Sequence, residues 1–316
     1  ESFTFSPLHS GSYRLGYRTS IDYGGPTGIT LGTAVTISGA AASPNMGYHS
    51  SVPLALLLTF FNVRLGWWLG NPGPHGEDTY RDASPANALR PLVAEALGDT
   101  DDTFPYVYLS DGGHFENLGI YEMVLRRRRF IVVSDGGCDG DFNFEDLGNA
   151  IRKIRTDFGI PIEMDEPMDL YPRAMTKPGK YCAIGRIRYS AVDGGVNDGV
   201  LLYIKPAVYL DDEPKDVYNY AKSCSAFPHE STADQFFSES QFESYRALGN
   251  HVIDNLCAGL TQRGLKSENA VANWTARSLE QFLGVAEDYL YPLKDTQVVP
   301  HAPLMPPRRR RPRAEA

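Results

Sequence analysis

Cysteine is scarce in this 316-residue chain, with only Cys138, Cys182, Cys224 and Cys257 and no C-x-x-C pair among them. That spacing gives neither a zinc site nor a dense disulfide framework, so reduced thiols in a cytosolic setting are the expectation. Positive charge is also short: 30 Lys and Arg stand against 39 Asp and Glu, a net charge of −9. An acidic body excludes the broad basic face that nucleic acid requires. The exception is the tail Pro306-Pro307-Arg308-Arg309-Arg310-Arg311-Pro312-Arg313, which reads as a disordered end; contact with anionic lipid is the sharper alternative. No uninterrupted membrane-length apolar run occurs. The best stretch, Val52 to Gly70, is broken by Asn62 and Arg64 and has Pro53 near its start. A charge inside a span costs a few kcal/mol, so a buried helix, or one touching a membrane surface through Trp67 and Trp68, is expected instead. No repeat of fixed period is visible. The run Asp139-Gly140-Asp141-Phe142-Asn143 evokes a calcium loop, but Phe144 and Ala150 stand where an EF-hand needs Gly and Glu.

What is present is an ordinary globular composition, 42% hydrophobic and 22% charged. The first 50 residues are rich in Gly, Ser and Tyr and read as loops with short strands; residues 30–38 fit either a strand or the start of a helix. A helix is expected over Pro85 to Leu97. Tyr106 to Leu109 reads as a buried strand ending in Ser110-Asp111-Gly112-Gly113, followed by a helix with Phe115, Leu118, Tyr121 and Val124 on one face. Arg126 to Arg129 closes that helix, and Phe130 to Val133 is a second buried strand ending in Ser134-Asp135-Gly136-Gly137. A helix from Phe144 to Phe158 follows. This βαβα order implies parallel strands covered by helices, with functional groups gathering at the carboxyl ends of the strands. Further on, Tyr181 to Tyr189 and Val200 to Ile204 form a hairpin, and helices are expected near 212–223, 239–259 and 268–288.

Asp111 is the strongest candidate for chemistry. An aspartate at a strand end, followed by two glycines, projects into a cleft while the backbone turns sharply away. The surrounding stretch, YVYLSDGGHFENLGIYEMVLRRRRFIVVSD, resembles the patatin-like and cytosolic phospholipase A2-like acyl hydrolases, whose catalytic aspartate lies in a D-G-G-type turn after a buried strand. Phe3-Thr4-Phe5-Ser6-Pro7 with Gly11-Ser12-Tyr13 looks like the F-x-x-S-P…G segment of the phospholipase branch. Ser38-Gly39-Ala40-Ala41-Ala42-Ser43-Pro44 is similar to the small-residue segment before the aspartate in patatins. The resemblance covers roughly residues 3–140.

The resemblance implies a mostly parallel central sheet flanked by helices in three layers, of which residues 1–290 form the C-terminal portion, with 291–316 as an extended or disordered tail. It implies a Ser–Asp dyad without cofactor or metal, acting on a phospholipid or other lipid ester through an acyl-enzyme. The setting would be cytoplasmic or peripheral to a membrane. Asp111 would be the general base, while Gly112, Gly113, His114 and Asn117 would shape the site or touch substrate. One departure stands out: no G-x-S-x-G elbow occurs in the 316 residues. Because the chain opens at Glu1 directly in the F-x-x-S-P segment, the elbow is expected upstream, and these residues alone are expected to be inactive. The alternative is a non-catalytic lipid- or partner-binding relative that has lost the nucleophile. A third option, a metal-dependent phosphodiesterase, would use Asp111, His114, Asp135 and Asp139. Asp135 is otherwise expected to be structural, and Arg126 to Arg129 a solvated surface with at least one carboxylate partner.

Overall fold

The computed structural model describes residues 1–40, 66–87, 91, 93–94, 101–209, 213–231, 234, 236–262 and 278–291. The chain divides into two compact units, Glu1–Leu256 and Cys257–Ala316. The tail from 292, most of the apolar run from Val52 and most of the helix expected over Pro85 to Leu97 lie outside the described residues. Among the described residues no helix is long and apolar enough to cross a membrane.

The protein is a mixed α/β structure. Strands β1 (Thr4–Phe5), β2 (His9–Ser12) and β3 (Gly16–Thr19) form an antiparallel sheet. Helix α1 (Leu31–Ser38) follows. The ambiguous 30–38 stretch is a helix because Thr30 caps it, its hydroxyl accepting from Thr33 N–H at 3.1 Å. Strands β4 (Trp67–Gly70) and β5 (Tyr106–Leu109) pair antiparallel. Tyr23, Ile37, Leu69, Val107 and Leu109 form one buried cluster that joins the first sheet, α1 and the β4–β5 pair. The Tyr23 hydroxyl donates to the Gly70 carbonyl at 2.7 Å, satisfying the only polar atom of a fully buried side chain.

Helix α2 (Ile120–Leu125) leads into β6 (Phe130–Ser134), then α3 (Glu145–Phe158) and β7 (Ile162–Met164). Strands β8 (Cys182–Ile187) and β9 (Gly199–Ile204) are the expected hairpin. The four strands order as β6-β9-β8-β7. Only β6 and β9 run parallel, in register from Phe130↔Val200 to Ser134↔Ile204; the other two pairings are antiparallel. Helices α4 (Lys215–Ser223) and α5 (Glu239–Gln262) follow, and α6 (Ser278–Leu290) belongs to the second unit.

The expectation of a mostly parallel sheet is met in the described residues at one strand pair. β5 and β6 do not pair; β5 joins β4. The two strands pack into different cores. β5 buries alternate residues, Val107 and Leu109, in the cluster it shares with Leu69 of β4, Tyr23 and Ile37. β9 is buried at Leu201, Leu202, Tyr203 and Ile204 and occupies the interior place beside β6. The helix after β5 is also shorter than the apolar spacing implied. Gly119, at φ 72°, stands at its N-cap, and the buried Glu116 carboxylate accepts from Leu118 N–H at 2.6 Å and Tyr121 N–H at 3.1 Å. Burial raises the Glu116 pKa, and these backbone donors oppose the rise. Helix α3 forms as expected, with Leu147, Ala150 and Ile154 buried along one stripe and Gly159 in the left-handed region at its end.

Candidate functional site

Asp111 sits at the carboxyl end of β5, half-buried. Its Oδ1 accepts from Gly113 N–H at 2.7 Å and starts a one-turn helix over Gly112–His114. Among the described residues its Oδ2 takes no hydrogen bond, so one carboxylate edge holds the turn and the other is open. A Cβ on Gly113 would stand 2.8 Å from Asn117 Oδ1 and 3.0 Å from Asp111 Oδ1, so this position admits only glycine without a shift of its neighbours. Gly112 has open space around it. The Ser110 hydroxyl and His114 Nδ1 lie 3.2 Å apart, so the imidazole leans back on the strand end. Asn117 is exposed, and its Nδ2 donates to Asp146 Oδ2 at 2.9 Å.

The second turn repeats the first in a buried setting. Asp135 Oδ1 accepts from Gly137 N–H at 2.9 Å. A Cβ on Gly137 would meet Asp146 Oδ2 at 2.9 Å and Asp135 Oδ1 at 3.0 Å. Asp135 Oδ2 takes a short hydrogen bond from the Tyr203 hydroxyl and one of 3.0 Å from Lys205 Nζ. Lys205 is fully buried and reaches Asp139 at 3.4 Å as well. Asp139 in turn accepts from Asn143 N–H at 2.8 Å and Phe144 N–H at 3.0 Å. Partial burial pushes the Asp139 carboxyl up, but these amides and the Lys205 ammonium outweigh it and hold the carboxyl below its usual range. Burial and the Asp135 hydrogen bond push the Tyr203 phenol far above its usual value.

Phe142 and Phe144 both lie in the left-handed region at φ 54°. For bulky residues that costs on the order of 1–3 kcal/mol each, held by surrounding contacts. Phe142 packs edge-on against His229 at 5.1 Å, and Phe144 against Tyr203 at 6.2 Å. His229 Nδ1 lies 3.3 Å from the Gly137 carbonyl, while its buried Nε2 has no hydrogen-bond partner among the described residues. Burial holds the His229 pKa below its ordinary value.

Asn117, Asp135, Gly137, Asp139, Asp146 and Lys205 are among the residues that line a polar cleft of about 440 Å³. The structure therefore links Asp111, Gly113 and Asn117 at one turn, and reaches the cleft through Asn117. It does not bring Asp111, His114, Asp135 and Asp139 together as metal ligands. Among the described residues no three His, Cys, Asp or Glu side chains form such a set, and the Lys205 ammonium stands where a cation between Asp135 and Asp139 would be. Of the arginine run, Arg126 pairs with Glu122 at 2.7 Å and Arg127 with Asp193 at 2.5 Å. Tyr203, Lys205 and Asp146 are not among the residues expected at the site. One signal was available for Lys205, a charge placed directly after an apolar strand run. No protein-family model, curated protein or solved structure matches the chain.

Proposed function

We propose that these residues belong to a serine acyl hydrolase of the patatin and cytosolic phospholipase A2 type, acting on lipid esters, with Asp111 as general base. The observation that carries the reading is the state of Asp111: a half-buried carboxylate at the end of β5, one oxygen fixed by Gly113 N–H and the other without a hydrogen bond among the described residues. Such a carboxylate is oriented without being consumed by its own turn. It can accept a proton from a hydroxyl brought within hydrogen-bond reach. The serine attacks the ester carbonyl, an acyl-enzyme forms as the alcohol leaves, and water releases the fatty acid. With no G-x-S-x-G in these 316 residues, the reading takes the serine and its oxyanion hole from sequence outside this chain. It also takes the larger three-layer sheet from there, and a setting in the cytoplasm or at a membrane surface.

The test is hydrolysis of a p-nitrophenyl ester by the complete gene product, with and without Asp111→Asn. Loss of a carboxylate base lowers kcat by about 10²–10⁴-fold. Unchanged hydrolysis removes Asp111 from the mechanism. A complete product that neither hydrolyses esters nor reacts with a serine-directed fluorophosphonate supports the alternative of a non-catalytic lipid- or partner-binding relative.

A further inference from the structure

The two D-G-G turns are not independent. In each, Oδ1 of the aspartate accepts from the N–H of the second glycine, and a second polar oxygen lies over that glycine where a Cβ would stand. Over Gly113 the oxygen is Asn117 Oδ1; over Gly137 it is Asp146 Oδ2. The same Asp146 Oδ2 accepts the hydrogen bond from Asn117 Nδ2 at 2.9 Å. One carboxylate oxygen thus bears on the buried turn and holds the side chain that bears on the exposed one.

We propose that Asp146 is a positioning residue for Asp111, acting through Asn117, and that the buried Asp135–Lys205 centre is the fixed base against which Asp111 is aligned. The proposal rests on the reading of Asp111 as general base. Asn117 lies on an exposed loop between the one-turn helix and α2, where an untethered amide would sample several rotamers. Asp146 stands in the first turn of α3, a helix anchored by Leu147, Ala150 and Ile154. A loop side chain fixed to a packed helix inherits that helix's precision, and a reacting group displaced by about 1 Å can lose about 10²-fold in rate. Asp146 also faces Gly137 and so Asp135, whose charge Lys205 and Tyr203 hold in place.

The experiment compares Asn117→Ala, Asp146→Ala and the exchange of Asn117→Asp with Asp146→Asn in the complete gene product, by ester hydrolysis and thermal melting. Each single variant is expected to lower kcat by roughly 10–100-fold, with KM changed by less than about 2-fold. The exchange restores an amide–carboxylate hydrogen bond with donor and acceptor reversed, and is expected to recover most of the loss. Singles that leave kcat unchanged overturn the proposal, as does an exchange that recovers nothing. Should Asp146→Ala fail to fold, the exposed Asn117→Ala variant decides alone: a fall in kcat at unchanged melting temperature supports positioning, and a fall in melting temperature at unchanged kcat overturns it. If Asp111→Asn retains full hydrolysis, the functional reading fails first, and separately.

Discussion

Removing the Lys205 ammonium while keeping its length, as in Lys205→Met, tests whether the centre at the end of β6 is held by charge. Lys205 is fully buried, and Asp135 is 2% exposed. The ammonium lies 3.0 Å from Asp135 and 3.4 Å from Asp139. Without it, Asp135 keeps the Gly137 N–H and Tyr203 O–H donors but becomes a buried charge with no counter-ion. Breaking one side of a buried pair costs about 3–5 kcal/mol, mostly the penalty of the charge left behind. For a unit of this size each kcal/mol moves the melting temperature by roughly 2–4 °C, so Lys205→Met is expected to melt on the order of 6–20 °C lower. Adding Asp135→Asn removes the stranded charge, and the double variant is expected to recover about 1–3 kcal/mol relative to additivity. Chemical denaturation followed by circular dichroism measures all four corners of the cycle. A Lys205→Met protein within about 1 kcal/mol of the parent, or strictly additive singles, would refute the assignment of Lys205 as the counter-ion of Asp135.

Two further outcomes follow from the same geometry. Burial, aided by the Lys205 charge, holds the folded-state pKa of His229 low, against the Gly137 carbonyl, Asp139 and Asp135, which favour the cation. The unfolded chain therefore takes up a proton near pH 6.5 that the folded protein refuses, and stability falls as pH drops through that value. His229→Gln lacks this loss, so the parent's stability relative to the variant should shrink between pH 7.5 and 5; a pH-independent difference in denaturation midpoints contradicts the reasoning. Gly70→Ala would place a Cβ against the Thr79 carbonyl and the Tyr80 backbone, which cannot swing aside as a side chain can. A loss of about 1–3 kcal/mol is expected in thermal unfolding, and an unchanged melting curve would show that the β4–β5 edge yields.

The local parts of the fold were legible in the sequence. The strands ending in Asp111 and Asp135, the β8–β9 hairpin and helix α3 each carry a periodic pattern bounded by turn residues. The Asp111 turn was legible too, because a strand-end aspartate followed by two glycines constrains its own backbone. What could not be read was which strand lies beside which. β5 and β6 both look like buried strands, yet one joins β4 and the other β9, and the choice depends on contacts between residues far apart in the chain. The same distance hid the site's second half. Asp135 looks structural in isolation, and becomes a charge centre only when Tyr203 and Lys205 arrive from the end of β9. The role of Glu116 as a buried cap was hidden as well, because it depends on where the helix starts, which Gly119 decides.

The parallel pairing of β6 with β9 has a consequence for fidelity. Asp135 N–H donates to the Ile204 carbonyl at 2.9 Å, so the ladder ends where Asp135 and Lys205 meet. These residues lie 70 positions apart in the chain. Apolar strands such as Phe-Ile-Val-Val and Val-Leu-Leu-Tyr-Ile offer similar burial in several alignments. Sliding either strand by one residue would turn its side chains to the opposite face and strand an ammonium and a carboxylate in the interior without each other. The pair therefore acts as a key cut for a single alignment, rejecting mismatched zippering that hydrophobic contact alone would tolerate.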